Sequence, residues 1–116
     1  MSKISPNFSR KEFACKCGCG LDTVDVELIQ IAELVRSKVG SFTPNSGIRC
    51  EYHNNIVGGG KESQHLYGKA MDIPCESAKE VYEWLDGLYP NKYGIGLYNT
   101  FIHVDVRSCR ARWDNR

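Results

Sequence analysis

Apolar side chains recur at Leu28, Ile31, Ala32, Val35 and Val39. This is the i, i+3, i+4, i+7, i+11 spacing of one helical face. Asp22 or Thr23 is placed to cap the start of that helix and Gly40 to close it. A second helix is predicted at Ser77-Ala78-Lys79-Glu80, a capping-box pattern, with Val81, Trp84, Leu85 and Leu88 following on one face and Pro90 as the stop. Shorter runs predict strands at Phe42-Thr43, Ala70 to Ile73, Ile95 to Tyr98 and Phe101 to Arg107. The last is the clearest, because side chains alternate across a strand. Ile102, Val104 and Val106 share one face, and Phe101, His103, Asp105 and Arg107 share the other. An aliphatic face backing an aligned His, Asp and Arg is the pattern expected of the floor of a site. The segment up to Gly20 reads as an irregular entry, and Gly58 to Ser63 as a flexible loop between the helices. With no internal repeat, the reading is one α+β domain over residues 1–116.

Composition narrows the classes. The chain has 116 residues, 41% hydrophobic and 25% charged, which suits one globular domain with a real core. Fifteen Lys and Arg against fourteen Asp and Glu leave a net charge of +1, which argues against a nucleic-acid partner. No apolar run approaches the roughly 18 residues of a membrane span. Met1-Ser2-Lys3-Ile4-Ser5-Pro6 lacks the apolar stretch of a secretory signal, so the expectation is a soluble chain that is not exported by that route. Three of the six cysteines crowd into Cys15-Lys16-Cys17-Gly18-Cys19, with Cys50, Cys75 and Cys109 dispersed. Without an export signal, reduced thiols are the default. The C-x-C-x-C run departs from the C-x₂-C of a zinc ribbon, so a bound metal, disulfides and free thiols all stay open here.

The three histidines are His53, His65 and His103. A turn through Gly68 would bring His65 and Asp72 toward one point, with small Ala70 leaving space beside the carboxylate. His103, on the polar face of the later strand, would supply a third ligand. Two imidazoles and a carboxylate with a fourth position open form a catalytic zinc arrangement, and the same donors also suit iron. The spacing alone is not specific: His53 reads as an ordinary surface or core residue, Asp72 could cap a turn, and Asp105 could pair with Arg107 or Arg49.

Ser63 to Asp72 fits S-x-H-x-x-G-x-A-x-D, and on this motif the chain resembles the zinc D-alanyl-D-alanine carboxypeptidases. That family includes phage endolysins and VanX-type dipeptidases, and it shares its fold with the hedgehog signalling domain. Phe13 to Gly20, Ser46 to Cys50, Val57 to Gly59, Tyr93 to Tyr98, Phe101 to Arg107 and Ala111 to Trp113 resemble its small single-domain branch, in the same order along nearly the whole chain.

The resemblance implies a small antiparallel sheet with flanking helices, and His65, Asp72 and His103 as zinc ligands. It also implies that Arg49 and Ser63 bind the substrate's terminal carboxylate and nearby backbone, as a guanidinium fork suits a carboxylate. Several relatives place an acidic general base three residues before the last histidine, where this chain has Thr100. Asp105, two residues beyond His103 on the same strand face, is the expected replacement, with an acceptor that only orients an imidazole as the alternative role. The expected function is a monomeric zinc carboxypeptidase acting on D-amino-acid-containing peptidoglycan peptides, either in the cytoplasm or as a phage protein released to the cell wall. Two other classes stand beside it. One is a non-catalytic, metal-stabilised module that binds peptide or protein; the other is a redox or metal-handling protein built on the N-terminal cysteines.

Overall fold

The computed structural model describes residues 3–116. Three helices, α1 (Val26–Val39), α2 (Glu51–Ile56) and α3 (Ala78–Leu88), accompany four strands, β1 (Ala70–Pro74), β2 (Gly94–Leu97), β3 (Phe101–Asp105) and β4 (Ala111–Asp114). The sheet order is β1-β3-β2-β4. β3 pairs antiparallel with both β1 and β2, as expected, whereas β4 joins β2 in parallel, so the sheet is mixed. None of the helices is long and apolar enough to cross a membrane.

The apolar stripe of α1 buries Leu28, Ile31, Ala32 and Val35 in one cluster with Val81 and Leu85 of α3 and Met71, Ile73, Ile95, Ile102 and Val104 of the sheet. The start of α1 lies later than the sequence indicated. Asp25 caps it, its carboxylate accepting from Glu27 N–H at 2.8 Å, and Gly40 follows its end. Ser77 does precede α3, but its side chain makes no capping hydrogen bond. A capping box forms instead at Ser9-Arg10-Lys11-Glu12, where Glu12 Oε1 accepts from Ser9 N–H at 2.9 Å at the head of a short 3-10 turn. Phe42-Thr43 forms no strand. Pro44 follows it, and Phe42 packs on Phe8 with ring centroids 5.2 Å apart.

On β3 the alternation holds. Ile102 and Val104, with Val106 just beyond, enter the core, while His103 and Asp105 project from the opposite face. That polar face is itself covered: Asp105 has no exposed surface and His103 only 8%. The cover comes from His65 and Trp113 against the His103 ring and from Arg107 against Asp105.

Candidate metal centre

Strand register assembles the centre. Asp72 of β1 is paired with His103 of β3, which puts a carboxylate beside an imidazole at adjacent cross-strand positions. On the other side of β3, Gly96 faces His103 and Gly94 faces Asp105. A Cβ at Gly96 would run into the Trp113 indole and one at Gly94 into the Asp105 carboxylate, so glycine at both positions makes room for the site's side chains. Ala70 shares the face of Asp72 on β1 and lies opposite Asp105 across the strands.

His65 comes from a 3-10 turn, Gln64–Tyr67, capped by Ser63, whose Oγ accepts from His65 N–H at 3.2 Å. Gly68 ends that turn in the left-handed region, and the chain passes directly into β1. The segment before α2 runs alongside β1, with Asp72 N–H donating to Ser46 O at 3.0 Å and Arg49 N–H to His65 O at 2.9 Å. These two bonds carry Arg49 to the rim of the centre.

The donor atoms converge. His65 Nε2 and His103 Nδ1 lie 3.3 and 3.2 Å from Asp72 Oδ1. Bonds of about 2.1 Å to a tetrahedral metal place its donors about 3.4 Å apart, close to these separations. The tautomers are set from behind. His65 Nδ1 lies 2.7 Å from Gly47 O and donates to it, leaving Nε2 as a lone pair. That Nε2 is buried and has no hydrogen-bond partner, an orphan that a cation satisfies. His103 presents Nε2 to Asp105 Oδ2 at 2.7 Å, so its Nδ1 faces Asp72 as the ligand atom. The three residues therefore fit a divalent metal with a position left open.

Electrostatics agree with this assembly. Burial pushes the Asp72 carboxyl up, but the adjacent His103 and His65 imidazoles outweigh it and hold the group well below the usual carboxylate range. Burial also disfavours a charged His103, yet the Asp105 and Asp72 carboxylates raise its pKa overall. Arg49 is lowered by burial, which Asp72 partly offsets. Its Nη2 lies 3.6 Å from Asp72 Oδ2, Nη1 donates to Asn54 Oδ1 at 3.1 Å and Nε to Ser46 Oγ at 3.2 Å.

The structure revises the picture of Asp105. Its Oδ1 accepts from Gly94 N–H, Arg107 N–H and Arg107 Nε, and its Oδ2 from His103 and Arg107 Nη2. A fully buried carboxylate with both oxygens occupied is not placed to take a proton from water in the cleft, as a general base must. The strand geometry that puts Asp105 on the same face as His103 sets it behind the imidazole. There, despite burial, the bonds from His103 and Arg107 hold it well below the usual carboxylate range.

His65, Asp72 and His103 open onto a cleft of about 420 Å³, lined also by Arg49, Ser63, Tyr98, Phe101, Arg107 and Trp113. Tyr98 stacks on Phe101 with centroids 4.3 Å apart, and its hydroxyl accepts from Trp113 Nε1 at 3.1 Å. Trp113 lies 5.0 Å from the His103 ring. The motif reading assigned no role to Tyr98, Trp113 or Asn54. Trp113 belongs to the parallel strand β4, and Asn54 is a buried position of the short α2; neither placement has a periodic signal. His53, read as an ordinary residue, lines a second groove together with Arg49, Val57, Asp72 and Phe101.

An α+β sheet that presents two imidazoles and a carboxylate to an open cleft, with an arginine at the rim, is the framework of a metallopeptidase. The model of the Peptidase M15 family matches residues 6–105, and the chain belongs to that family. This upholds the resemblance to the zinc D-Ala-D-Ala carboxypeptidases drawn from the motifs. No curated protein and no solved structure matches the chain.

Proposed function

We propose that the protein is a zinc-dependent carboxypeptidase acting on D-amino-acid-containing peptides of peptidoglycan. The observation that carries this reading is Arg49, whose guanidinium lies in the same cleft as the ligands, 3.6 Å from Asp72. A cation held there by Asn54 and Ser46 suits the free carboxylate at the end of a peptide chain.

His65 through Nε2, Asp72 and His103 through Nδ1 would hold the zinc. When bound, that ion supplies Lewis acidity to a peptide carbonyl and to water at the open position. The remaining work falls to side chains of the protein. Asp105 is a positioning residue that keeps the proton on His103 Nε2, and Arg107 holds Asp105 in turn. Ser63 Oγ accepts from His65 N–H and keeps its own O–H free to meet the substrate backbone. Tyr98 and Trp113 form a wall against which a small side chain can pack. His53 lines the adjoining groove beside Arg49 and Asp72, and we assign the proton acceptor to it.

One observation favours a second reading. Among the described residues, the lining of the cleft contains no carboxylate besides Asp72, and the position three residues before His103 is the exposed Thr100. A metal-stabilised module that binds peptide without turnover needs no base. Incubation of the zinc-loaded protein with D-Ala-D-Ala-terminated muropeptides, followed by mass spectrometry, separates the two. The carboxypeptidase reading expects loss of the terminal D-alanine. Saturable binding with the peptide left intact would overturn it in favour of the binding module.

A further inference from the structure

The cysteines of the N-terminal run converge on a point outside the cleft. Cys15, Cys17, Cys19 and Cys50 each offer a sulfur within 4.8 Å of the others. The Sγ–Sγ separations are 3.5 Å for Cys15–Cys17, 3.7 Å for Cys17–Cys50 and 3.9 Å for Cys15–Cys50. A disulfide requires about 2.05 Å, so none of these pairs is bonded. Four thiolates about 2.3 Å from a tetrahedral zinc lie about 3.8 Å from one another, and these three separations fall around that value.

The surrounding backbone is shaped to the same end. Cys15 N–H donates to Leu21 O at 2.8 Å, closing the run into a loop. Gly18 and Gly20 take φ of +84° and +92°, the left-handed turns that allow three alternate cysteines to face one centre. The fourth sulfur arrives from elsewhere in the fold, because Cys50 is the residue that caps α2. Two backbone amides point at the sulfurs: Cys50 N–H lies 3.5 Å from Cys15 Sγ and His53 N–H 3.4 Å from Cys50 Sγ. Such N–H···S bonds stabilise sulfur as thiolate and fix its direction.

We propose that Cys15, Cys17, Cys19 and Cys50 form a structural zinc site, separate from the His65, Asp72 and His103 centre and independent of whether the cleft is catalytic. The sequence left this site open among other states because the C-x-C-x-C run supplies only three ligands at an unusual spacing, and the fourth is distant in the chain. All four positions of the tetrahedron are filled by protein, so the site has no place for substrate; its role is to join the N-terminal loop to the start of α2. Cys50 follows Arg49 directly, so the same ion fixes the backbone from which the cleft's guanidinium projects. Binding releases the thiol protons to solvent and needs no oxidant.

Alkylation of the whole protein tests this, because Cys17, Cys19 and Cys109 are all exposed while only the first two belong to the cluster. In zinc-loaded, reduced protein, iodoacetamide is expected to modify Cys109 and to spare Cys17 and Cys19 until a chelator is added. Modification of all three at one rate would overturn the proposal. Cobalt substitution gives a second readout that does not depend on accessibility. The cobalt-loaded His65→Ala, His103→Ala double variant should show intense sulfur-to-cobalt charge transfer, and a Cys17→Ser, Cys50→Ser variant should lose it. Absence of that band from cobalt-loaded, unmodified protein would equally contradict a thiolate site.

Discussion

Arg49 is a half-buried guanidinium with two neutral partners, Ser46 and Asn54, and only one carboxylate at contact range, 3.6 Å away. A substrate carboxylate would complete its pairing, and hydrogen bonds to charged groups contribute about 2 kcal/mol each. Arg49→Ala should therefore lower kcat/KM on free-acid peptides by roughly 30-fold while leaving their C-terminal amides nearly unchanged. Equal losses on both substrates would make Arg49 structural. Asp105 is tested in a different currency. If it positions His103, Asp105→Asn should weaken metal affinity by about 10- to 100-fold, with activity returning at saturating zinc. Activity that stays low on fully loaded protein would restore Asp105 as a proton acceptor. At this scale the three converging residues, His65, Asp72 and His103, were legible in the sequence, because a motif fixes residue types at fixed spacing. The role of Asp105 was not. Alternation places it on the face of His103 but does not say which ring nitrogen it meets, and that depends on how Arg107 and Gly94 enclose it.

Among the elements, those with a sustained period were readable and the short ones were not. The stripe of α1 and the aliphatic side of β3 declared themselves because each buries one face over several residues. α2 has six residues and one buried position, Asn54, so no apolar pattern marks it. β4, Ala-Arg-Trp-Asp, is held by parallel pairing with β2 and by Arg112, which donates to Asp86 at 2.7 Å and to Tyr89 O at 2.6 Å. Those partners lie far away in the chain. The contact of α1 with the N-terminal segment carries a pH prediction. Glu33 accepts from Ser5 Oγ at 2.5 Å, from Asn7 N–H at 2.8 Å and from Asn7 Nδ2 at 2.6 Å. Burial raises its pKa, but the bonds from Asn7 and Ser5 together outweigh it and hold it below its ordinary 4.5. A carboxyl lowered in the folded state adds stability above its unfolded pKa, and that stability is lost as the pH falls through the folded value. The Tm advantage of the wild type over Glu33→Gln should thus be present at neutral pH and shrink on acidification below about 4.5. An advantage that is the same at pH 7 and in acid would mean the carboxylate charge contributes nothing.

Across the whole molecule, β1 and β3 meet at the pair Asp72–His103, and the turn before β1 adds His65. The segment running beside β1 brings Arg49 to the same cleft, while the cysteine cluster secures the far end of that segment at Cys50. The central claim is that His65, Asp72 and His103 hold a metal. Its most direct test is the zinc content, by elemental analysis, of the His65→Ala, His103→Ala double variant against the wild type, with folding of both checked by circular dichroism. The account predicts that the folded variant carries about one zinc per chain fewer than the wild type, whatever the cysteines retain. A folded variant with undiminished zinc would contradict it.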